Sequence, residues 1–131
     1  MTHKTIHPNG WLPAKGYANG MLTKDGTLHI GGQIGWDNNK IFVEGGFIGQ
    51  MTQCLRNIAS IVEEAGGQIS DITRLTWFVT DKSEYIANQA EVGRAYRDVL
   101  GKHFPAMSLI IVSGLVEDEA LVEIEATAHI G

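Results

Sequence analysis

The run LVEIEATAHI, residues 121–130, alternates apolar and polar side chains: Val122, Ile124, Ala126, Ala128 and Ile130 against Glu123, Glu125, Thr127 and His129. Successive side chains of a strand point to opposite faces, so this period of two describes a strand with one face on a core and one face free of it. The apolar face needs a cover, and two upstream stretches can supply it. From Phe47 to Ala65 the residues Phe47, Met51, Cys54, Leu55, Ile58, Ile61, Val62 and Ala65 recur at three- and four-residue steps, while Gln50, Gln53, Arg56, Asn57, Ser60 and Glu64 fill the other side. That spacing predicts an amphipathic helix, stopped by Gly66 and Gly67. A second helix is expected from Ser83, a candidate N-cap, to Leu100, with Ile86, Ala90, Val92, Tyr96 and Val99 inward and Gly101 ending it.

Further strands are expected at Tyr17 to Leu22, Thr27 to Ile34, Ile72 to Thr80 and Met107 to Gly114, with a short piece at Ile41 to Val43. The order β-β-(β)-α-β-α-β-β is an α+β arrangement: a mixed sheet with two helices packed on one face. Leu109, Ile110, Ile111 and Val112 do not alternate, so their strand is expected to be buried on both sides. Helices on one face cannot cover both. Either copies of the chain associate through the helix-free face, or Leu115 and its loop fold back over it. No repeat or low-complexity linker divides the sequence, and residues 1–131 are expected to form one domain.

Composition narrows the function classes. Ten Lys plus Arg against fifteen Asp plus Glu give a formal charge of −5, without the clustered cations that nucleic acid requires. The opening MTHKTIHPNGWLPAKGY holds no apolar run long enough for a signal peptide or a membrane span, so a cytoplasmic location away from membranes is expected. The one cysteine, Cys54, lies on the apolar stripe of the first helix and reads as a packed thiol. His3, His7, His29, His103 and His129 show no paired ligand spacing, and no metal site is expected.

Six segments in order resemble the RidA (YjgF, L-PSP) family from about Pro13 to Ala128: KGYANG at 15–20, HIGGQIG at 29–35, QCLRNIASIVEEAGG at 53–67, DITRLTWFVTD at 71–81, HFPAMS at 103–108 and VEIEATA at 122–128. The resemblance implies a chorismate-mutase-like fold, a homotrimer with a barrel-like centre, and small-molecule pockets at the subunit interfaces. It also implies no metal and no organic cofactor. Tyr17 matches the family tyrosine beside the ligand, and Gly31 and Gly32 match the pair before the family glutamine, where a bare backbone lets a ligand approach. Glu123 matches the glutamate that positions or activates water, and Ser108 falls in the HFPAMS segment that lines the pocket.

Two positions depart from the deaminating branch. Met107 stands where that branch carries an arginine that grips the substrate carboxylate, and Gly93 aligns with its asparagine. A methionine supplies an apolar wall and no charge. Both differences point away from small imino acids such as iminopropionate and towards a larger or less acidic ligand, for which Trp11 and Trp36 could supply aromatic walls. The resemblance thus leads to an enamine/imine deaminase-like hydrolase with an unusual substrate. Two other readings stand beside it: a trimer that binds a small molecule without turning it over, and an endoribonuclease, for which no basic aromatic surface is visible.

Overall fold

The computed structural model describes residues 2–131. Its strands are β1 (His3–Ile6), β2 (Gly20–Thr23), β3 (Thr27–Ile34), β4 (Ile72–Val79), β5 (Ala106–Ile111) and β6 (Val122–His129), and its helices are α1 (Gly46–Glu64), α2 (Lys82–Ala87) and α3 (Gln89–Leu100). The strands form one six-stranded sheet in the order β1-β2-β3-β6-β4-β5. Only β4 and β5 pair in parallel; the other neighbours are antiparallel. The alternating strand β6 therefore runs through the middle, with β3 on one side and β4 on the other.

On β6 the apolar set Val122, Ile124, Ala126 and Ala128 is buried, and α1 lies over it and over β3. Met51, Cys54, Leu55, Ile58, Ile61 and Val62 of that helix have no exposed surface at all. Burying one such side chain contributes about 1.5–3 kcal/mol, so this contact is the main source of stability. The helix stops as its sequence requires. Gly66 adopts φ 90°, its amide donates to Glu63 O at 2.9 Å, and the Gly67 amide donates to Val62 O at 2.9 Å. This left-handed residue with two back-folded bonds is a Schellman end, a conformation that glycine takes without a side-chain penalty.

The structure differs from the sequence expectations in four places. The second helix is two: α2 starts at Asp81, whose carboxylate accepts from the Glu84 amide at 3.1 Å, and the chain breaks at Asn88, whose Nδ2 donates to Glu84 O at 2.8 Å. Short Asp and Asn side chains compete with the helix for backbone groups, so Asp81 rather than Ser83 is the cap and three helices replace the expected two. The first hairpin strand begins only at Gly20, which leaves Tyr17 in the preceding loop, and Gly20 pairs with Ile6 of a terminal strand that the sequence did not announce. Ile41 to Val43 contribute one isolated bridge, Trp36 to Phe42, and no strand.

The fourth difference concerns β5. It is an edge strand with β4 as its one neighbour and not a neighbour of β6, so in the single chain Met107, Ile110 and Ile111 are 44–48% exposed, and burial on both sides requires another copy. The following loop does not fold back over them, and Val116 at its tip is 96% exposed. Among the described residues, no helix is long and apolar enough to cross a membrane.

Candidate functional site

Strand register divides the sheet into two faces. Glu123 lies opposite Phe78 on β4 and Ile34 on β3, and Glu125 lies opposite Thr76, which in turn pairs with Ser108 on β5. These side chains share the helix-free face. Met107 pairs with Leu75, one step out of phase, and so belongs to the face that the helices cover. Glu123 and Met107 of one chain are thus separated by the sheet.

Glu123 has a seat made for it. The β3–β6 register shifts between Ile30 and Gln33, where Gly31 and Gly32 bulge, and a side chain on Gly32 would overlap the Glu123 carboxylate. The absence of a Cβ there lets the acid lie against the backbone. It is half-buried, and burial pushes its carboxyl above the ordinary value of 4.5, with the nearby Glu125 charge adding in the same direction. A loss of hydration disfavours the charged form, so this acid holds its proton more tightly than a surface glutamate.

The bulge is fastened to the loop that carries Tyr17. The Gly31 amide donates to Asn19 O at 2.9 Å, and Gln33 Nε2 donates to Asn19 Oδ1 at 3.1 Å and to Gly31 O at 3.2 Å. Asn19 and Gln33 are both buried, so this polar network is satisfied internally, as buried polar groups must be. Tyr17 itself is 51% exposed. Lys40 Nζ lies 5.8 Å from its ring centre and 5.7 Å from that of Trp36, and donates to Pro13 O at 2.9 Å. One ammonium thereby ties Tyr17, Trp36 and the Pro13 turn together through cation–π contacts. Trp11 borders a shallow depression with Tyr17, His7 and Asn19, and His7 Nε2 donates to its carbonyl at 3.1 Å.

On the helix-covered side, a groove of about 330 Å³ runs between α3 and the end of the sheet. Met107, Leu75 and Trp77 form one side, with Gly93, Tyr96 and Arg97 across from them and Phe104 at the mouth. Met107 and Gly93, the two positions at which the sequence departs from the deaminating pattern, therefore face one cavity. Tyr96 stacks on Phe104 with ring centres 5.6 Å apart and donates its hydroxyl to His103 O at 2.6 Å. Partial burial pushes the Tyr96 phenol up. The indole N–H of buried Trp77 has no hydrogen-bond partner among the described residues.

Sequence reasoning missed Lys40 and Arg97. Lys40 owes its position to a left-handed backbone, φ 60°, that no pattern signals. Arg97 had a signal: Gly93 precedes it by one helical turn, and a Cβ built on Gly93 would lie 3.2 Å from Arg97 Nη1. The guanidinium lies beside the bare face of the helix at Gly93. Among the described residues, no three His, Cys, Asp or Glu side chains cluster as metal ligands, and Cys54 is buried with its thiol pushed up by desolvation.

Known proteins with this architecture agree with the geometry. The sequence pattern described as endoribonuclease L-PSP matches residues 9–130. A Yersinia pestis protein of the conserved Rid family, YyfA, is 30% identical, with 98% of this chain and 99% of that one covered and a TM-score of 0.83. RidA from an Antarctic Psychrobacter is 29% identical over 97% and 99% of the two chains, TM-score 0.82. Escherichia coli TdcF, solved with bound serine, is 26% identical over 98% and 99%, again with a TM-score of 0.82.

Proposed function

The chain belongs to the endoribonuclease L-PSP family, which includes the RidA (YjgF) proteins, and from that premise we propose that it is an enamine/imine deaminase-like hydrolase. Its site would form where copies of the chain meet. The observation that carries this reading is the Glu123 carboxylate, half-buried on the bare backbone of Gly32 with its proton affinity raised. A base with an elevated pKa accepts a proton more readily near neutral pH.

The chemistry asked of it is modest. Glu123 takes a proton from water as the oxygen bonds to the imine carbon and the C=N pair moves to nitrogen, and it passes that proton to the nitrogen to give an amino alcohol. It then takes the hydroxyl proton and hands it to the nitrogen as the C–N bond breaks, which leaves the carbonyl and ammonia. Imine hydrolysis is easy in water, so holding the reactants and moving one proton suffices. Gly32 lies against Glu123, the Gly31 amide is bonded to Asn19 in the loop that carries Tyr17, and these residues would bound the substrate. Met107 lies on the other face of the sheet, and it joins such a site only if a neighbouring copy supplies it. A homotrimer built on the exposed apolar edge of β5 would do so. TdcF holds serine in its structure, which fits a pocket for a small amine-bearing molecule in this family.

The test uses imines generated in place by an amino-acid oxidase, with keto acid and ammonia measured. Glu123→Gln keeps the shape and removes the base, and turnover should fall by about 10²-fold or more while the assembly stays intact. Glu125→Gln serves as control. Equal, small effects from the two substitutions would favour the second reading, a trimer that binds its ligand without turnover. Met107 is the observation behind that alternative. The acidic pair Glu123 and Glu125 on the free face speaks against a ribonuclease, whose substrate phosphates those charges would repel.

A further inference from the structure

We propose that Lys40 is a positioning residue that fixes the Tyr17 ring at the site and carries the rigidity of the core to it. Its part in turnover rests on the hydrolytic reading above, whereas its hold on the ring does not. Tyr17 needs such a hold. Gly16 before it sits at φ 83° with nothing within 4 Å of a Cβ built there, a backbone free to turn. The loop is fastened at its ends, where the Leu12 amide donates to Asn38 O at 3.0 Å and Asn19 O accepts from the Gly31 amide at 2.9 Å. From Ala14 to Ala18 it makes no backbone hydrogen bond among the described residues.

Lys40 closes a turn that would suit a glycine. Its amide donates to Asp37 O at 2.9 Å, and the Asp37 carboxylate accepts from the amides of Asn39 at 2.9 Å and Ile41 at 3.1 Å. Lys40 alone among the described non-glycine residues has a positive φ, 60°. Glycine takes that conformation freely and a lysine does not, so the side chain is kept at a cost to the backbone. Its contacts are what the cost secures. Nζ donates to Pro13 O at 2.9 Å and lies 5.8 Å from the Tyr17 ring centre and 5.7 Å from that of Trp36, both within reach of a cation–π contact. Trp36 is fixed in turn: its carbonyl accepts from Asn57 Nδ2 of α1 at 2.9 Å, and its ring lies 5.7 Å from that of Phe42. The buried helix thus holds Trp36, Trp36 and Pro13 hold the ammonium, and the ammonium holds Tyr17. A ring kept in one place presents one wall to a substrate, and a displacement of ~1 Å can slow a reaction by about 10²-fold.

The experiment joins fluorine NMR of fluorotyrosine-labelled protein to imine turnover. The chain has three tyrosines, Tyr17, Tyr85 and Tyr96, and Tyr17→Phe assigns the first signal. Lys40→Met keeps the length of the stem and removes the charge and the donor. It should move the Tyr17 signal towards that of free fluorotyrosine and leave the other two in place. Lys40→Gly, which suits the left-handed turn, should do the same and guards against a misfolded variant. Lys40→Arg keeps a cation on both rings and should hold the signal near its parent position. In turnover, Lys40→Met should lower kcat/KM by about tenfold at an unchanged melting temperature, and Lys40→Arg should restore it to within about twofold. In a Tyr17→Ala background Lys40→Met should cost nothing further, the mark of a residue that acts through Tyr17. A Tyr17 signal that neither Lys40→Met nor Lys40→Gly moves, or an undiminished loss in the Tyr17→Ala background, would overturn the proposal. A parent protein with no imine turnover would instead remove the hydrolytic reading, and the fluorine signal would still decide whether Lys40 holds the ring.

Discussion

Helices α1 and α3 lie side by side over the same face of one sheet, yet they meet it in different ways. Nine residues of α1 are buried, and six of them, from Met51 to Val62, have no exposed surface. In α3 only Val92 and Leu100 are buried, and a groove opens beneath it. The first contact is packed as a protein interior is packed, and the second leaves room. Tight packing and open space thus lie at different ends of the sheet, and the end that stays open is the one whose edge strand leaves Met107, Ile110 and Ile111 exposed in the single chain.

The sharpest way to break this contrast is to remove side chains from both contacts. Ile58→Ala, under α1, should lower the unfolding free energy by about 2–5 kcal/mol, the usual range for a buried Ile or Leu cut to Ala. Phe104→Ala, at the 69% exposed mouth of the groove, should change it by less than about 1 kcal/mol. Urea unfolding measures both, and equal losses would mean that the groove is core after all.

Assembly comes next. Light scattering on a sizing column should give three times the mass of one chain, and Ile110→Glu should reduce it to one, since a charge on that exposed apolar edge cannot be buried unpaired. A parent protein that runs as a clean monomer at micromolar concentration would remove the interface site. A smaller effect is expected at position 107. The protein should act poorly on iminopropionate, and Met107→Arg should raise that activity by about tenfold, the return on one charge-assisted contact of ~1.4 kcal/mol. If the unmodified protein already hydrolyses iminopropionate rapidly, Met107 has been misread.

The smallest effect is on stability against pH. Glu123 has its carboxyl pKa raised in the folded chain, so the folded state binds the proton more tightly than the unfolded one. The slope of stability with pH is then negative: the contribution is present below 4.5 and lost as pH rises through the higher folded value. Glu123→Gln, which cannot ionise, should be no less stable than the parent at pH 7 and should gain on it between pH 4 and 7. Melting temperatures across that interval check the sign. A parent that gains on the variant as pH rises would mean that the carboxylate is held by a favourable partner.

Much of this was legible beforehand where one residue's fate depends on its own neighbours. The alternation of Val122 to Ile130 and the stripe from Phe47 to Ala65 record burial on one face, and both elements form where that pattern placed them. The break at Asn88 was not legible, because the apolar spacing continues through it while a single amide turned back to Glu84 interrupts the backbone. Strand β1 was hidden because only Ile6 of its four residues is buried. The unalternating run at Leu109 was correctly seen as unusual but misplaced, since the same pattern serves an inner strand and an edge strand awaiting a partner. In the candidate site, Glu123 and the glycine pair were visible through their motifs. That Met107 faces the opposite side from Glu123 is a matter of register, which one residue of shift reverses.

Cys54 gives the α1 contact a built-in clock. It is the only cysteine of the chain, it is fully buried, and its thiol lies 3.8 Å from the carbonyl of Val122 on the central strand. A soluble disulfide reagent can therefore reach it only when the helix parts from the sheet, and the rate of labelling reports how often that happens in the native protein. At reagent concentrations high enough to trap every opening, labelling measures the opening rate itself, and at low concentrations it measures the equilibrium. Followed in the parent and in Phe104→Ala, the same sulfur would tell whether loosening the open end of the sheet speeds breathing at the tight one.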